Sequence, residues 1–255
     1  MPAISVLILA KNEENNIQDC IESCNFAQEV VVIDDFSTDK TVEIAEKCGA
    51  KVIQRAMNGD WGGQQTFAIE QAESEWIFFI DADERCTQEL GQEIIQTVAR
   101  GEEFGFWVKR INHFQRKIVK HGPLSPDWVC RLMPRQGSRV EGFVHPKIIH
   151  QFADRKLNAP MLHFTYETWE QYLRKMNQYS TLSAEKYKKE GREYHFLIDI
   201  VLRPLFAFVK MYILKRGFLD GVLGYILAKN YANYTMNKYV KLKYLNTSAP
   251  KNRNF

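Results

Sequence analysis

Trp76-Ile-Phe-Phe-Ile-Asp-Ala-Asp-Glu84 is the stretch on which the reading of this chain turns. Its first five residues are apolar without alternation, and they are rich in aromatic and β-branched types. Such a run is a strand covered on both faces, too short for a buried helix. The chain then becomes acidic within one residue, at Asp81-Ala82-Asp83-Glu84. A strand that ends in carboxylates presents them at the rim of a sheet, where loops and ligands meet.

The same pattern repeats toward the N-terminus. Ile4 to Leu9 (ISVLIL) and Glu29 to Ile33 (EVVVI) read as further buried strands, and Lys51 to Gln54 as a short one. Between them lie helical patterns. Ile17, Cys20, Ile21 and Cys24 recur at i, i+3, i+4 and i+7. A helix is expected from about Thr38 to Cys48, stopped by Gly49, and another over residues 63–74. Strand–helix alternation of this kind predicts an α/β fold with a mostly parallel central sheet flanked by helices.

Toward the C-terminus the character changes. After a predicted helix near residues 87–100, residues 104–165 hold short β-like runs (FGFWVKRI, KIVKH, WVCRLMPR, KIIHQF) separated by Gly, Pro and Asn. These predict a mixed or antiparallel extension of the sheet. From Thr168 the pattern is helical to about Leu245. Thr168 with Gln171 forms a capping box, and Trp169, Tyr172, Leu173, Met176 and Tyr179 form an apolar stripe. Gly191, Pro204 and Gly217 divide the remaining helical stretch into two or three segments, and TSAPKNRNF is expected to fray. The expected organisation is an α/β domain at 1–165, divided near residue 102 into halves at 1–102 and 103–165, and a helical C-terminal extension at 166–255.

Composition narrows the classes of function. A chain of 255 residues with 45% apolar and 25% charged content can bury a sizeable core. The net charge of +3 hides an uneven distribution: residues 185–255 hold 14 Lys/Arg against 5 Asp/Glu, and the remainder holds 20 against 26. A basic end on an acidic body suggests an anionic partner there. The five cysteines (Cys20, Cys24, Cys48, Cys86 and Cys130) show no zinc-finger spacing and no even-numbered framework. Free thiols fit a reducing compartment. The N-terminus lacks the features of a signal peptide, and no window of about 18 uncharged apolar residues exists. A cytoplasmic location is therefore expected.

Three polar clusters directly follow predicted strands: Ala10-Lys11-Asn12-Glu13-Glu14, Asp34-Asp35-Phe36-Ser37-Thr38-Asp39, and Asp81-Ala82-Asp83-Glu84. In an open parallel sheet the carboxyl ends of the strands share one edge, so all three should converge there. Asp81 and Asp83 can offer oxygens to Mg²⁺ or Mn²⁺, with substrate phosphates completing the coordination. The plain alternative is a strand-to-helix turn in which Asp83 or Glu84 complements a helix start. Asp34 and Asp35 can accept hydrogen bonds from a base N–H and from ribose hydroxyls, whereas Ser37 to Asp39 suit helix capping.

VVVIDDFSTDKT (residues 30–41), AKNEE (10–14) and FIDADE (79–84) together resemble glycosyltransferase family 2, whose fold is the Rossmann-like GT-A fold. Further segments are similar to bacterial lipopolysaccharide inner-core β-1,4-glucosyltransferases. These are Asp60-Trp61-Gly62-Gly63-Gln64-Gln65, PDWVCRLMPR (126–135), Val144-His145, YLRKMNQYST (172–181) and RPLFAFVKMYILKRGFLDG (203–221). The resemblance implies a UDP-sugar donor, glucose in that subgroup, and a divalent metal held by Asp81 and Asp83. It also implies inversion at the anomeric carbon and a lipid-linked saccharide acceptor. On it, Ala10, Asn12, Glu13, Asp34 and Asp35 surround the uridine. Asp81 and Asp83 face ribose, metal and diphosphate, and Gln64 or Gln65 makes a donor contact.

The catalytic base is expected in the second half of the catalytic domain, facing the donor from the acceptor side. Many relatives carry Val-His-Glu where this chain reads Val144-His145-Pro146, so that acid does not carry over. The candidates are Asp127, then Glu141, then His145, for which a structural hydrogen bond is the competing role. In residues 194–245, large apolar side chains mix with Lys and Arg at helical spacing. Such helices can lie in the headgroup layer of an anionic membrane, here the inner face of the cytoplasmic membrane. They can equally pack on the catalytic domain or on another subunit of an oligomer. A nucleotidyltransferase would place a Gly-rich loop after the first strand, where this chain has AKNEENN. No recognised nucleic-acid module is present. A non-catalytic nucleotide-sugar or membrane-binding adaptor on a degenerate fold is the remaining alternative.

Overall fold

The computed structural model describes residues 3–142 and 147–244, which form two compact units. Unit one comprises residues 1–111 and 127–164, and unit two residues 112–126 and 165–255. The 103–165 stretch is thus divided between them.

Unit one is built on β1 (Ile4–Ala10), flanked in parallel by β2 (Glu29–Asp34) and β4 (Trp76–Asp81), with β3 (Lys51–Gln54) outside β2. Successive side chains point to opposite faces, and helices cover both, which is why these runs are apolar without alternation. Ile4, Val6, Ile8, Val32, Phe78 and Ile80 form one core with α1 (Ile17–Glu22), α2 (Thr41–Lys47) and α4 (Gln88–Ala99). Leu7, Val31, Ile33, Ile77 and Phe79 form the other with α3 (Trp61–Gln71). Fully burying each such side chain contributes roughly 1.5–3 kcal/mol.

Beyond β4 the sheet becomes antiparallel. β8 (Asp127–Pro134) pairs with β4, β6 (Phe104–Phe114) with β8, and β12 (Met161–Tyr166) with β5 (Glu84–Cys86). The order is β3-β2-β1-β4-β8-β6-β12-β5, with β11 (Ala153–Lys156) added in parallel to β6. β9 (Ser138–Glu141) and β10 (Lys147–His150) make a separate hairpin against α3, where Thr66 Oγ1 donates to the Val140 carbonyl at 3.1 Å. The close approach requires glycine, since a Cβ on Gly62 would collide with the Gly142 carbonyl.

Two helix starts differ from the sequence expectation for a capping reason. α3 begins at Trp61 because Asp60 is its N-cap and accepts from Gly63 N at 2.9 Å. α2 begins only at Thr41, whose N–H donates to Asp39 Oδ1 at 3.0 Å.

Unit two centres on two long helices, α5 (Trp169–Lys189) and α7 (Gly221–Tyr244). The capping box at Thr168 is present, with Gln171 N donating to Thr168 Oγ1 at 3.1 Å. Phe114, Tyr166, Tyr172 and Leu227 form one core, in which Tyr166 and Tyr172 meet edge to face at 4.9 Å. Ala184, Tyr239 and Leu242 form another. Between the long helices, α6 (Arg203–Val209) is flanked by wider π-type turns at Phe196–Leu202 and Lys210–Leu214. β7 (Lys117–Ile118) pairs with the end of β6. His121 is tied to Asp220, its Nδ1 lying 2.9 Å from Asp220 Oδ1. No described helix is long and apolar enough to cross a membrane. The tail after Tyr244 lies outside the described residues.

Candidate active site

The loop after β4 folds back because Glu84 Oε2 accepts from the Asp81 backbone N–H at 2.8 Å. This carries the Glu84 carboxylate fully inside the protein. A buried anion needs a partner, and β8 supplies Arg131: its Nη2 lies 2.8 Å from both Glu84 oxygens and 2.5 Å from Asp81 Oδ2. β6 supplies Arg110, which bonds Glu84 Oε1 at 3.0 Å and Asp127 Oδ2 at 2.8 Å. The register explains the second pair, since Arg110 and Asp127 are opposite each other on β6 and β8. Asp83 stands beside His163 of β12, with Oδ2 3.5 Å from Nε2, and its carbonyl accepts from Phe164 N at 2.8 Å. Arg131 Nε is buried without a hydrogen-bond partner among the described residues.

Electrostatics within this cluster divide its acids. Burial pushes the Glu84 carboxyl above its ordinary value, and Arg131 only partly opposes this. Burial also acts to raise Asp81, but the charge and hydrogen bonding of Arg131 outweigh it and hold the group low. Both guanidiniums are raised, since facing carboxylates overcome their burial. Three carboxylates (Asp81, Glu84 and Asp127) thus face two guanidiniums, and a fourth, Asp83, stands beside His163.

At the ends of β1 and β2 the acids are engaged locally. Asp34 is fully buried: Oδ2 accepts from Ser37 N at 2.9 Å and Gln54 Nε2 at 3.0 Å, and Oδ1 from the Ser37 hydroxyl. Asp35 accepts from Lys11 Nζ at 2.7 Å and Met57 N at 2.9 Å. The Ala10 carbonyl takes the Asp35 N–H at 2.9 Å. Asn12, in the left-handed region at φ 55°, accepts from Thr38 N, while its own N–H donates to Ser37 Oγ at 2.8 Å. Glu13 N donates to Thr41 Oγ1 at 2.8 Å. Residues 10–14 and 34–39 therefore form one cross-linked rim.

The remaining expected site residues lie apart from the acidic cluster or outside the described residues. Gln64 is buried and exchanges hydrogen bonds with Arg55, through its side chain at 2.6 Å and its carbonyl at 2.9 Å. Gln65 follows it on α3, partly buried. Glu141 ends β9 in an exposed pair with Arg139 at 2.7 Å. His145 is the residue that falls outside the described stretches. A surface hollow of about 910 Å³ between α1 and α2 holds none of these groups.

Arg110, Arg131 and His163 escaped sequence reasoning. Their only signal was a cation or imidazole inside an otherwise apolar strand, as in WVCRLM.

Residues 5–153 match the family model described as Glycosyl transferase family 2. The chain belongs to glycosyltransferase family 2. An uncharacterized glycosyltransferase of Rickettsia bellii is 30% identical over 95% of this chain and 86% of its own length. The lipopolysaccharide core biosynthesis glycosyltransferase LpsC of Rhizobium meliloti is 28% identical over 94% and 91%. Among solved structures, Staphylococcus aureus TarS 1–349 in complex with UDP is 16% identical, covering 96% of this chain and 91% of its own at a TM-score of 0.49. This family-2 chain is a glycosyltransferase, and its mixed sheet between helices is the GT-A arrangement that the resemblance led us to expect.

Proposed function

We propose that this glycosyltransferase moves a hexose, glucose in the first instance, from a UDP-sugar to a lipid-linked lipopolysaccharide or lipooligosaccharide core acceptor, with inversion. The observation that carries the donor half of this reading is the charge balance at the end of β4. Asp81, Glu84 and Asp127 against Arg110 and Arg131 leave one negative charge, and Asp83 beside His163 adds a second, together the complement of one divalent cation. The donor set is hard carboxylate oxygen, which suits Mg²⁺ or Mn²⁺ completed by substrate phosphates. Asp81 and Asp83 would hold the ion, since their side chains are 43% and 24% exposed whereas Glu84 is fully buried. When bound, such an ion neutralises charge building on a departing diphosphate.

The chain's own residues account for the rest. The rim of Ala10, Asn12, Glu13, Asp34 and Asp35 receives the uridine, with Asp34 shaping the loop from within. Gln64 or Gln65 is assigned a donor contact from α3. Asp127 takes the proton from the attacking acceptor hydroxyl, and Arg110 holds the carboxylate in place through bonds to its Oδ2. A positioned base of this kind contributes typically ~10²–10⁴-fold. Glu141 and His145 are the lesser candidates for that role.

The acceptor half rests on the likeness to LpsC and on the surface of unit two. Phe196, Leu197, Leu205, Phe206, Ile213 and Leu214 are each at least half exposed, among Lys210, Lys215 and Arg216. Apolar side chains left in solvent beside cations fit the headgroup layer of an anionic membrane. The test is a UDP-sugar panel with Mn²⁺ or Mg²⁺, following UDP release with and without a heptose-containing lipid acceptor. UDP release that requires both ion and acceptor supports the proposal; release indifferent to the ion overturns the metal assignment. Flotation with anionic vesicles, weakened by salt, supports the surface reading, and its absence removes it.

A further inference from the structure

Cys130, the neighbour of Arg131 on β8, meets His150 and Asp154 outside the acidic cluster. One ligand atom from each of the three lies within 4.8 Å of the others. Cys130 Sγ is 3.8 Å from His150 Nε2, and His150 Nε2 is 3.4 Å from Asp154 Oδ1. Around a tetrahedral zinc ion, with Zn–S of about 2.3 Å and Zn–N and Zn–O of about 2.0–2.2 Å, neighbouring ligand atoms lie roughly 3.4–3.6 Å apart. The two spacings from His150 fall within a few tenths of an ångström of this, and Cys130 to Asp154, at no more than 4.8 Å, closes by about 1 Å at most through the exposed Asp154 side chain.

Two independent features prepare the group for an ion. His150 Nδ1 lies 3.1 Å from the Phe152 carbonyl. That oxygen can only accept, so Nδ1 carries the proton and the Nε2 lone pair faces Cys130 and Asp154, as in outer-sphere support of metal-bound histidines. Room for the ring is made by Gly105, where a Cβ would collide with the His150 imidazole. The main sheet sets the other two ligands against β6, with Asp154 opposite Gly105 and Cys130 opposite Trp107.

We infer that Cys130, His150 and Asp154 form a second metal site, for a thiophilic divalent ion such as Zn²⁺, separate from the carboxylate site proposed for the donor. A mixed sulfur, imidazole and carboxylate set selects zinc over Mg²⁺ or Mn²⁺. Because β10 belongs to the separate hairpin while β8 and β11 belong to the main sheet, the ion clips that hairpin to the sheet. Three protein ligands leave a fourth position, which the exposed side of Asp154 opens to water.

The test uses the full chain, stripped with a chelator and desalted. Titration with Zn²⁺ against a chromophoric competitor should give one ion per chain, and Co²⁺ should give a sulfur-to-metal charge-transfer band. Cys130→Ser should abolish the band and weaken Zn²⁺ binding at least ~10-fold. Asp154→Asn, at an exposed position that leaves folding intact by circular dichroism, should weaken it ~10-fold or more. Asp83→Asn should leave the Zn²⁺ stoichiometry unchanged, which separates this site from the donor's. Absence of stoichiometric Zn²⁺ binding, a Co²⁺ spectrum without the band, or unchanged affinity in both ligand variants would each overturn the inference.

Discussion

Asp34-Asp35 and Asp81-Ala82-Asp83 occupy equivalent places, at the carboxyl ends of the two parallel strands that flank β1, yet their surroundings differ. The Asp34 carboxylate receives donors from its own loop and from Gln54. Asp81 and Asp83 instead face Arg131 and His163, which arrive from strands fifty and eighty residues later in the chain. The first loop spends its oxygens on holding its own shape. The second gathers more negative charge than its cations cancel. An acidic strand end is thus either scaffold or charge reservoir, and its partners decide which.

This contrast can be broken experimentally. The largest effect is expected on folding stability for Arg131→Met. It takes from the buried Glu84 the nearer of its two guanidiniums and from Asp81 its bonded cation, at a cost of up to about 3–5 kcal/mol read from urea denaturation. A loss below 1 kcal/mol would mean that the ion cluster does not hold β4, β6 and β8 together. Next, Asp83→Asn should cut sugar transfer by roughly 10³-fold with little change in melting temperature, because the metal's contribution of several kcal/mol converts to that factor. Asp127→Asn should lower turnover by ~10² or more while sparing UDP-sugar affinity, measured by calorimetry. Full turnover in that variant would return the base to Glu141 or His145.

Smaller effects fall on the scaffold side. Asp34→Asn turns an acceptor for three donors into a partial donor, and should cost about 1–3 kcal/mol in stability. If it instead abolished transfer in a fully stable protein, the two strand ends would be alike and the contrast would fail. Smallest of all is the acid response of Asp35. Partial burial acts to raise its pKa, but Lys11 and the Met57 N–H hold it below the ordinary carboxylate range. A depressed folded value means that the stabilisation is present above about pH 4 and is lost as the pH falls through that lower value. Lys11 is largely exposed, so the gain stays below ~1 kcal/mol, and Lys11→Met should flatten the acid limb of the stability profile by no more than that.

Much of this was legible beforehand, for local reasons. ISVLIL, EVVVI and WIFFI could be read as buried strands because each is apolar on both faces, and all three pair in parallel as the alternation demanded. The capping box at Thr168 was equally local. The antiparallel extension after residue 102 was visible as β-like runs, but not its order. The placement of β8 beside β4 depends on which hydrophobic faces meet, and no short-range pattern encodes that. Residues 112–126, interleaved in sequence with strands of the first unit, pack with the helical unit because Phe114 and Val119 join Tyr166 and Tyr172.

From the sequence alone came the α/β class, the carboxylates at the ends of β1, β2 and β4, and the likeness to family 2, since these depend on spacing along the chain. Only the tertiary structure showed that Arg110 and Arg131 enter the acidic cluster, that Asp34 is enclosed by its own loop, and that Cys130, His150 and Asp154 come together. Asp34 is enclosed by Ser37 and by Gln54 of β3, whereas the first and last of these depend on how strands far apart in sequence come together. A shift of one residue would turn every such side chain to the opposite face.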